Sequence, residues 1–189
     1  KTGEDVAVKV QRPGVRETMV QDVSIMRSLA KGATKIMHSS QVVDFRGVVE
    51  ELWETFDEET NFLNEARNLA EFKRFCSHYA YMDCPTPFTD LCTEHVLVMQ
   101  YIDGIPISHT RELIDDGYSL NEIGTKLVDN YAAQILDAGF FHADPHPGNI
   151  EIRGGKIILL DLGMTGRLDA RTRVALKQML FAVAKQNSA

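Results

Sequence analysis

The densest group of chemically active side chains lies in residues 139–150, which read GFFHADPHPGNI. Two prolines exclude this segment from the interior of a helix or of a central strand. It is therefore a stiff loop between apolar flanks, and its polar side chains are His142, Asp144, His146 and Asn149. Imidazoles, carboxylates and carboxamides of this kind bind metals or take part in proton transfer.

Three interpretations of this loop are open. His142 and His146 are four residues apart, a spacing that zinc enzymes use on helices, but the prolines prevent a regular helix and no cysteine or third histidine is near. In the second interpretation Asp144 only caps backbone amides, as single loop aspartates usually do. In the third the loop is catalytic, because Asp144 and Asn149 have the five-residue spacing of the catalytic loop of protein kinases.

Residues elsewhere in the chain favour the catalytic interpretation. Asp161 lies twelve residues after Asn149 and begins the tripeptide DLG, where kinases have DFG, while VAVK at 6–9 matches their VAIK motif. Phosphoryl transfer needs a lysine on the phosphates, a glutamate that holds this lysine, oxygen ligands for Mg²⁺, and an aspartate that orients the acceptor. Such residues occurring in this order predict a kinase-type site.

Hydrophobic spacing predicts the elements that must position these groups. Alternation predicts strands, and three- or four-residue spacing predicts helices. The predicted helices are 15–37, 45–56, 61–79, a helix capped by Ser119 and stopped by Gly139, and 169–185. The predicted strands are Val6–Val10, Phe88–Leu91, His95–Tyr101 and a hairpin of 149–153 and 156–160 around Gly154 and Gly155. Residues 103–106, DGIP, are expected to form a linker between two lobes.

Glu65 is anomalous within the third predicted helix. It falls on or beside the apolar stripe of that helix, although a buried carboxylate is costly unless it is paired. Glu65 therefore either lies at the stripe edge and reaches water, or meets a cation. Lys9, on its predicted strand, is the candidate partner.

Composition limits the class of protein. The chain has 189 residues, of which 44% are hydrophobic and 25% charged, as in ordinary globular domains. A net charge of −7 argues against a sequence-independent nucleic-acid binder. The sequence contains no apolar run long enough to span a membrane, and KTGEDVAVKV is not a signal peptide. The three unpaired cysteines are typical of free thiols in a reducing compartment.

Five segments resemble the UbiB/AarF (ABC1-type) family of atypical kinase-like proteins: VAVKVQRPGV, EETNFLNEARN, VLVMQYIDGIP, HADPHPGN and LLDLGMTGRL. The resemblance implies an α+β, protein-kinase-like two-lobed fold. Residues 1–103 would form a partial N-lobe with a helical insertion and the hinge, and residues 104–189 a partial C-lobe. The chain is then expected to be a fragment that lacks the start of the N-lobe and the end of the C-lobe.

The same resemblance assigns roles to individual residues. Lys9 and Asp144 would be catalytic, and Asn149 and Asp161 would bind Mg²⁺ or Mn²⁺. Residues implied in nucleotide binding are Lys9 on the phosphates, Glu65 as its partner, Glu59 of the family's E-x-D motif, Met99 as gatekeeper, and the backbone near Gln100 and Ile102.

The sequence departs from the related patterns at three positions. Asn61 stands where the E-x-D motif has its aspartate, so the second carboxylate of that motif is replaced by a carboxamide. Leu162 replaces the phenylalanine of DFG. Ala143 replaces the arginine that receives a phosphorylated activation loop in protein kinases.

The resemblance implies ATP and Mg²⁺ as cofactors, and ATP hydrolysis or phosphorylation of an acceptor linked to quinone or isoprenoid-lipid metabolism. Partners would be an isoprenoid or quinone lipid or quinone-biosynthesis proteins. The compartment would be a bacterial cytoplasm or an organellar matrix, with membrane association only through parts outside this chain. The alternatives are a non-catalytic nucleotide-binding scaffold and an aminoglycoside- or choline-type kinase, whose usual motif is HGD rather than HAD.

Overall fold

The computed structural model describes residues 3–36 and 45–186 and shows a mixed α+β architecture. The helices are α1 Val15–Ile36, α2 Phe45–Glu59, α3 Phe62–Cys76, α4 Thr110–Asp115, α5 Leu120–Ala132 and α6 Ala170–Gln186. The strands are β1 Val6–Val10, β2 Met82–Asp83, β3 Val96–Gln100, β4 Ile105–Pro106, β5 Phe140–His142, β6 Ile150–Arg153, β7 Lys156–Leu159 and β8 Thr165–Arg167. Short 3-10 turns cover Thr89–Leu91 and Pro147–Asn149, and a π-helical segment covers Ala133–Ala138.

The strands form three small sheets. In the first, β1 pairs antiparallel with β3, and Lys9 lies opposite Leu97. In the second, the order is β2-β7-β6-β4, with β2 parallel to β7 and the other pairs antiparallel. In the third, β5 pairs antiparallel with β8, which brings the start of the HADPHPGN segment beside the residues that follow DLG. The predicted hairpin is confirmed as β6 and β7, and both turn glycines have positive φ, as a two-residue turn of this kind requires.

The hydrophobic core lies where α3 meets β2, β3, β6 and β7. Its members share nearly complete burial and include Leu69 and Phe72 of α3, Leu97 of β3, Leu159 of β7 and Leu162. Because α3 supplies Leu69 and Phe72 on the same face as Glu65, burial of this stripe also carries that carboxylate inwards.

Most predicted helices are confirmed within the described residues, with shifts of a few positions at their ends. Ser119 caps α5 by accepting a hydrogen bond from the Glu122 N–H at 3.3 Å, as predicted. Gly139 ends the helical region in the left-handed conformation, at φ 68°. The helix does not remain α-helical to this point, however, because its last six residues form the π-helical segment, which periodicity did not reveal.

The predicted strand at Phe88–Leu91 is wrong. Residues Thr89–Leu91 form a 3-10 turn. The chain before it makes a single bridge to β3, between Pro87 and Met99, with hydrogen bonds from the Phe88 N–H to the Val98 carbonyl and from the Gln100 N–H to the Thr86 carbonyl. The chain turns into this 3-10 segment directly after Phe88, so its pairing with β3 ends after one bridge.

The predicted linker at 103–106 is partly ordered as β-structure. Its last two residues form β4 and pair with β6 of the hairpin. The division of the chain at residues 103 and 104 stays a prediction.

Candidate active site

Lys9 is the centre of a cluster formed by three elements that are distant in sequence. Its Nζ lies 2.8 Å from Glu65 Oε2 and 3.1 Å from Glu65 Oε1. The same Nζ lies 2.9 Å from Asp161 Oδ2. The predicted pairing of Lys9 with Glu65 is therefore present, and Lys9 additionally bridges to the DLG aspartate.

Local structure explains how each member reaches this point. Alternation along β1 turns Lys9 to the half-buried side of the strand, whereas its neighbours Val8 and Val10 are exposed. Glu65 occupies the first turn of α3 and is only 2% exposed. Asn61, which stands where the E-x-D motif has aspartate, caps this helix by accepting the Leu63 N–H at 3.0 Å. The departure at this position thus retains a helix-capping oxygen.

The three charges shift one another's pKa values. Burial acts to lower the pKa of Lys9, but Glu65 and Asp161 outweigh it, and the net pKa lies above its ordinary value. Burial and the neighbouring Asp161 raise the pKa of Glu65 despite its contact with Lys9. Burial opposes the ionisation of Asp161, yet the Gly163 N–H and Lys9 hold its pKa below the usual range. Asp161 is therefore the carboxylate that stays ionised most readily.

The catalytic-loop candidates Asp144 and Asn149 line the same small cavity as this cluster. The Asp144 carboxylate is exposed, and its backbone N–H donates to His142 Nδ1 at 3.0 Å. The side-chain amide of Asn149 makes long contacts to Asp144, 3.4 Å to the carbonyl oxygen and 3.5 Å to Oδ2. The Ala143 N–H donates to the Met164 carbonyl at 3.0 Å, which ties the loop to the residues after DLG.

The DLG tripeptide is held by contacts of its own. The Gly163 N–H donates to Asp161 Oδ1 at 2.9 Å, which leaves the other oxygen to Lys9. Leu162 is completely buried, and its carbonyl accepts the Asn68 side-chain amide at 3.0 Å. Leucine thus fills the apolar position that phenylalanine holds in DFG.

A cavity of about 160 Å³ joins these groups. Its lining consists of Lys9, Glu65, His142, Asp144, Asn149, Asp161, Gly163 and Met164. An adjoining cavity of about 680 Å³ shares Gly163 and Met164 with it. This cavity extends to Arg67 of α3 and Arg167 of β8. The larger cavity does not include Lys9, Asp144, Asn149 or Asp161, so the kinase-type residues are concentrated in the smaller one.

The ligand chemistry of the smaller cavity fits Mg²⁺ rather than zinc. Asn149 and Asp161 offer oxygen atoms, and Mg²⁺ is commonly bound by one or two such side chains together with substrate phosphates and water. His142 and His146 each accept a backbone N–H through Nδ1, from Asp144 and Gly148. Among residues 3–36 and 45–186 no three His, Cys, Asp or Glu side chains are grouped as a metal site.

The predicted nucleotide-base residues lie apart from this cavity. Met99 of β3 is half-buried against the core, and the Gln100 N–H donates to the Thr86 carbonyl at 2.9 Å. Ile102 is half-buried just after β3. Glu59 is the last residue of α2, but its side chain lies outside the described part of the structure. The roles of these four residues stay predictions.

Sequence reasoning missed the polar side chains that lie behind the loop. Gln134 and Asn130 are fully buried and hydrogen-bonded to each other at 2.6 Å, and Gln134 also contacts the backbone of His142. The available signal was their spacing: two carboxamides four residues apart in an amphipathic helix, on a face that also carries apolar residues.

The family of "ABC1 atypical kinase-like domain" proteins matches the chain over residues 1–189. A protein of Clostridium pasteurianum, "Uncharacterized protein in hydrogenase 1 5'region", is 37% identical over 97% of this chain and 34% of its own length. The chloroplastic "Protein ACTIVITY OF BC1 COMPLEX KINASE 7" of Arabidopsis thaliana is 33% identical over 98% of this chain and 27% of its own length. "Probable protein kinase UbiB" of Pseudomonas putida is 32% identical over 99% of this chain and 36% of its own length.

The fold is also similar to a solved structure, the Rv3197–erythromycin complex from Mycobacterium tuberculosis. The similarity has a TM-score of 0.71 at 28% identity and covers 87% of this chain and 41% of that one. The chain spans about a third of the length of the curated relatives named above.

Proposed function

Since the chain belongs to the ABC1 atypical kinase-like domain family, we propose that it binds Mg²⁺–ATP and transfers or hydrolyses the γ-phosphate. The observation that carries this proposal is the bridging position of Lys9 between Glu65 and Asp161, in one cavity with Asp144 and Asn149. Phosphoryl transfer depends mainly on positioning and on neutralising charge, and this arrangement supplies both.

Five residues of the cavity each have a distinct part in the proposal. Lys9 contacts the ATP phosphates, and the buried Glu65 holds its ammonium in place. Asn149 and Asp161 hold Mg²⁺, which neutralises phosphate charge when it is bound. Asp144, whose carboxylate is exposed on a loop stiffened by prolines, orients or deprotonates the acceptor hydroxyl or water.

Further assignments rest on the resemblance and on relatives. Met99, the backbone near Gln100 and Ile102, and Glu59 are proposed to complete the nucleotide site. The two-lobe division at residues 103 and 104 is retained as part of this proposal. An acceptor or partner from quinone or isoprenoid-lipid metabolism is proposed from the resemblance to UbiB.

The location of the protein is also a proposal. A cytoplasmic or organellar-matrix location is supported by the three free cysteines, which are typical of a reducing compartment, and by the chloroplastic relative. Within the described residues, the helices are too short or too polar to cross a lipid bilayer.

The deciding experiment compares Asp144→Asn with Asp161→Asn in the full-length protein, measuring Mg²⁺–ATP affinity and phosphate release. Asp144→Asn keeps the shape of the side chain and removes its charge. We expect it to lower turnover by a factor of about 10²–10⁴ while affinity is nearly retained. Asp161→Asn should instead weaken Mg²⁺–ATP binding, because it removes a charged metal ligand.

Asp90→Asn serves as the control, because Asp90 is an exposed carboxylate remote in sequence from the cavity residues. Its turnover should equal that of the wild type. If Asp144→Asn also turns over at the wild-type rate with saturating ATP, the loop only holds nucleotide and the scaffold interpretation replaces this proposal. Stoichiometric zinc in the purified protein would contradict the Mg²⁺ assignment.

A further inference from the structure

We propose that Gln134 is a positioning residue that holds the catalytic loop in register, so that Asp144 faces the phosphate-binding cluster. This inference rests on the proposed function, and it assigns a role to a residue outside the cavity. It is carried by a continuous chain of hydrogen bonds that runs from the end of α5 to the backbone of Asp144.

The chain of hydrogen bonds begins in the protein interior. Gln134 Nε2 donates to Asn130 Oδ1 at 2.6 Å, and Gln134 Oε1 accepts the His142 N–H at 3.0 Å. His142 Nδ1 in turn accepts the Asp144 N–H at 3.0 Å. Gln134, Asn130 and His142 are all buried, so the two bonds made by Gln134 are shielded from competing water. The bond from the exposed Asp144 to His142 is partly buried.

The β-sheet cannot replace the bond that Gln134 makes. The Ala143 N–H donates to Met164 of the partner segment, while His142 lies opposite Thr165 in the β5–β8 register. Adjacent positions in an antiparallel pair alternate between hydrogen-bonded and non-hydrogen-bonded. The His142 N–H therefore points away from β8, and Gln134 provides its acceptor.

The π-helical segment accounts for the position of Gln134. This residue is the second of the segment Ala133–Ala138, which ends at the left-handed Gly139. The Gly139 N–H donates to the Gln134 carbonyl, five residues back, so the wide turn closes immediately before β5 begins. Single π turns inside helices occur frequently at functional sites. Here the wide turn presents both the backbone and the side chain of one residue to the start of the loop.

The central experiment compares Gln134→Met with Gln134→Glu in the full-length protein. Methionine fills a similar volume but offers no strong acceptor, so the His142 N–H loses its partner. We expect kcat for ATP turnover to fall about 10- to 100-fold while the Kd for Mg²⁺–ATP changes less than about threefold. Glutamate keeps an oxygen acceptor for the His142 N–H, and its second oxygen can accept from Asn130 Nδ2, which has no hydrogen-bond partner among the described residues, once that carboxamide flips. We therefore expect Gln134→Glu to turn over ATP faster than Gln134→Met.

Leu127→Ala is the matched control for general destabilisation. Leu127 lies on α5, is half-buried against the same core, and has no part in the hydrogen-bond chain. At assay temperatures equally far below each Tm, it should keep turnover within about twofold of the wild type. An equal loss of kcat in Leu127→Ala and Gln134→Met, or no rescue by Gln134→Glu, would overturn the proposal.

A second measurement keeps this inference separate from the proposed function. Amide hydrogen exchange of the segment 140–149 should accelerate in Gln134→Met and stay unchanged in Leu127→Ala. If the wild type binds Mg²⁺–ATP without turnover, the proposed function fails, and faster exchange still supports positioning of the loop. If the wild type turns over and neither kcat nor exchange responds to Gln134→Met, the positioning role fails alone. Should Gln134→Met not fold, Asn130→Leu is used in its place, with the same expected direction for both measurements.

Discussion

Lys9 forms ion pairs with two carboxylates, Glu65 and Asp161, whose surroundings differ. Glu65 is buried within the core stripe of α3, whereas the Asp161 side chain is 41% exposed towards the cavity. The pKa values diverge accordingly, raised for Glu65 and lowered for Asp161. Glu65 is thereby suited to anchoring Lys9, and Asp161 remains an ionised group that a metal ion can use.

Removing the shared cation tests this arrangement. In Lys9→Met we expect the free energy of unfolding to fall by about 1–3 kcal/mol at pH 7, because two carboxylates lose their counter-charge. The pKa of Glu65 is already raised, so the folded state binds a proton more readily than the unfolded chain. A raised folded pKa favours folding at lower pH, and stability of the variant should partly recover towards about pH 5. Urea unfolding at several pH values measures both effects.

Lys126→Met is the matched control for this prediction. Lys126 pairs with Glu122 on the surface of α5, where the glutamate side chain is 61% exposed. Such pairs contribute little, and Lys126 Nζ also lies 5.7 Å from the centroid of the Tyr81 ring, so the change should stay below about 1 kcal/mol. Equal losses in Lys9→Met and Lys126→Met would show that the buried cluster contributes no more than a surface pair.

Among the elements, the passage from α5 into β5 decides where the candidate catalytic loop begins. The left-handed Gly139 ends the π-helical segment, and β5 starts at the next residue. A Cβ at Gly139 would lie 2.7 Å from the Leu168 carbonyl oxygen, which belongs to the segment paired with β5. Both the backbone conformation and the close approach therefore require glycine here.

Two glycine substitutions in this helical region should have opposite effects. Gly139→Ala should lower the free energy of unfolding by about 2 kcal/mol or more, since a left-handed alanine is strained and its Cβ meets backbone. Gly124→Ala, in the middle of α5, meets no atom within 4 Å and should stabilise by about 0.5–1 kcal/mol. Thermal unfolding of both variants checks the pair. Destabilisation by Gly124→Ala would contradict the open environment described for that position.

At the scale of the whole molecule, Asp83 connects parts of the chain that are far apart in sequence. Its Oδ1 lies 2.6 Å from Lys73 Nζ of α3, and its Oδ2 lies 3.2 Å from Lys156 Nζ of β7. The Cys84 N–H also donates to Oδ1 at 2.9 Å. Burial opposes ionisation, but these contacts prevail and hold the pKa of Asp83 below its ordinary value.

The lowered pKa of Asp83 predicts a specific acid sensitivity. A depressed folded pKa stabilises the protein above the unfolded pKa, and this contribution is lost as the pH falls through the folded value. Asp83→Asn should therefore cost about 1 kcal/mol at pH 7, given the exposure of both lysines, and nearly nothing at about pH 2. Denaturant unfolding across this range measures the difference. Asp90→Asn should show little effect throughout, and a pH-independent difference for Asp83→Asn would refute the ionic explanation.

Much of the candidate site could be predicted from residue types, their order and local periodicity. The alternation around Lys9, the position of Glu65 on the apolar stripe and the spacing from Asp144 through Asn149 to Asp161 are properties of short segments. A strand or helix imposes its repeat on such segments directly. The buried faces of β1 and α3 and the hairpin of β6 and β7 could therefore be predicted from the sequence.

Contacts between distant segments were decided only by the tertiary structure. The sharing of Lys9 by Glu65 and Asp161, the β5–β8 pair and the buried bond from Gln134 to His142 each join residues that no local repeat relates. The predicted strand at Phe88–Leu91 failed for the same reason, because strand formation depends on a partner as well as on propensity. A strand or a buried polar group is stable only where another segment satisfies its hydrogen bonds, and the packing of the whole chain determines which segment that is.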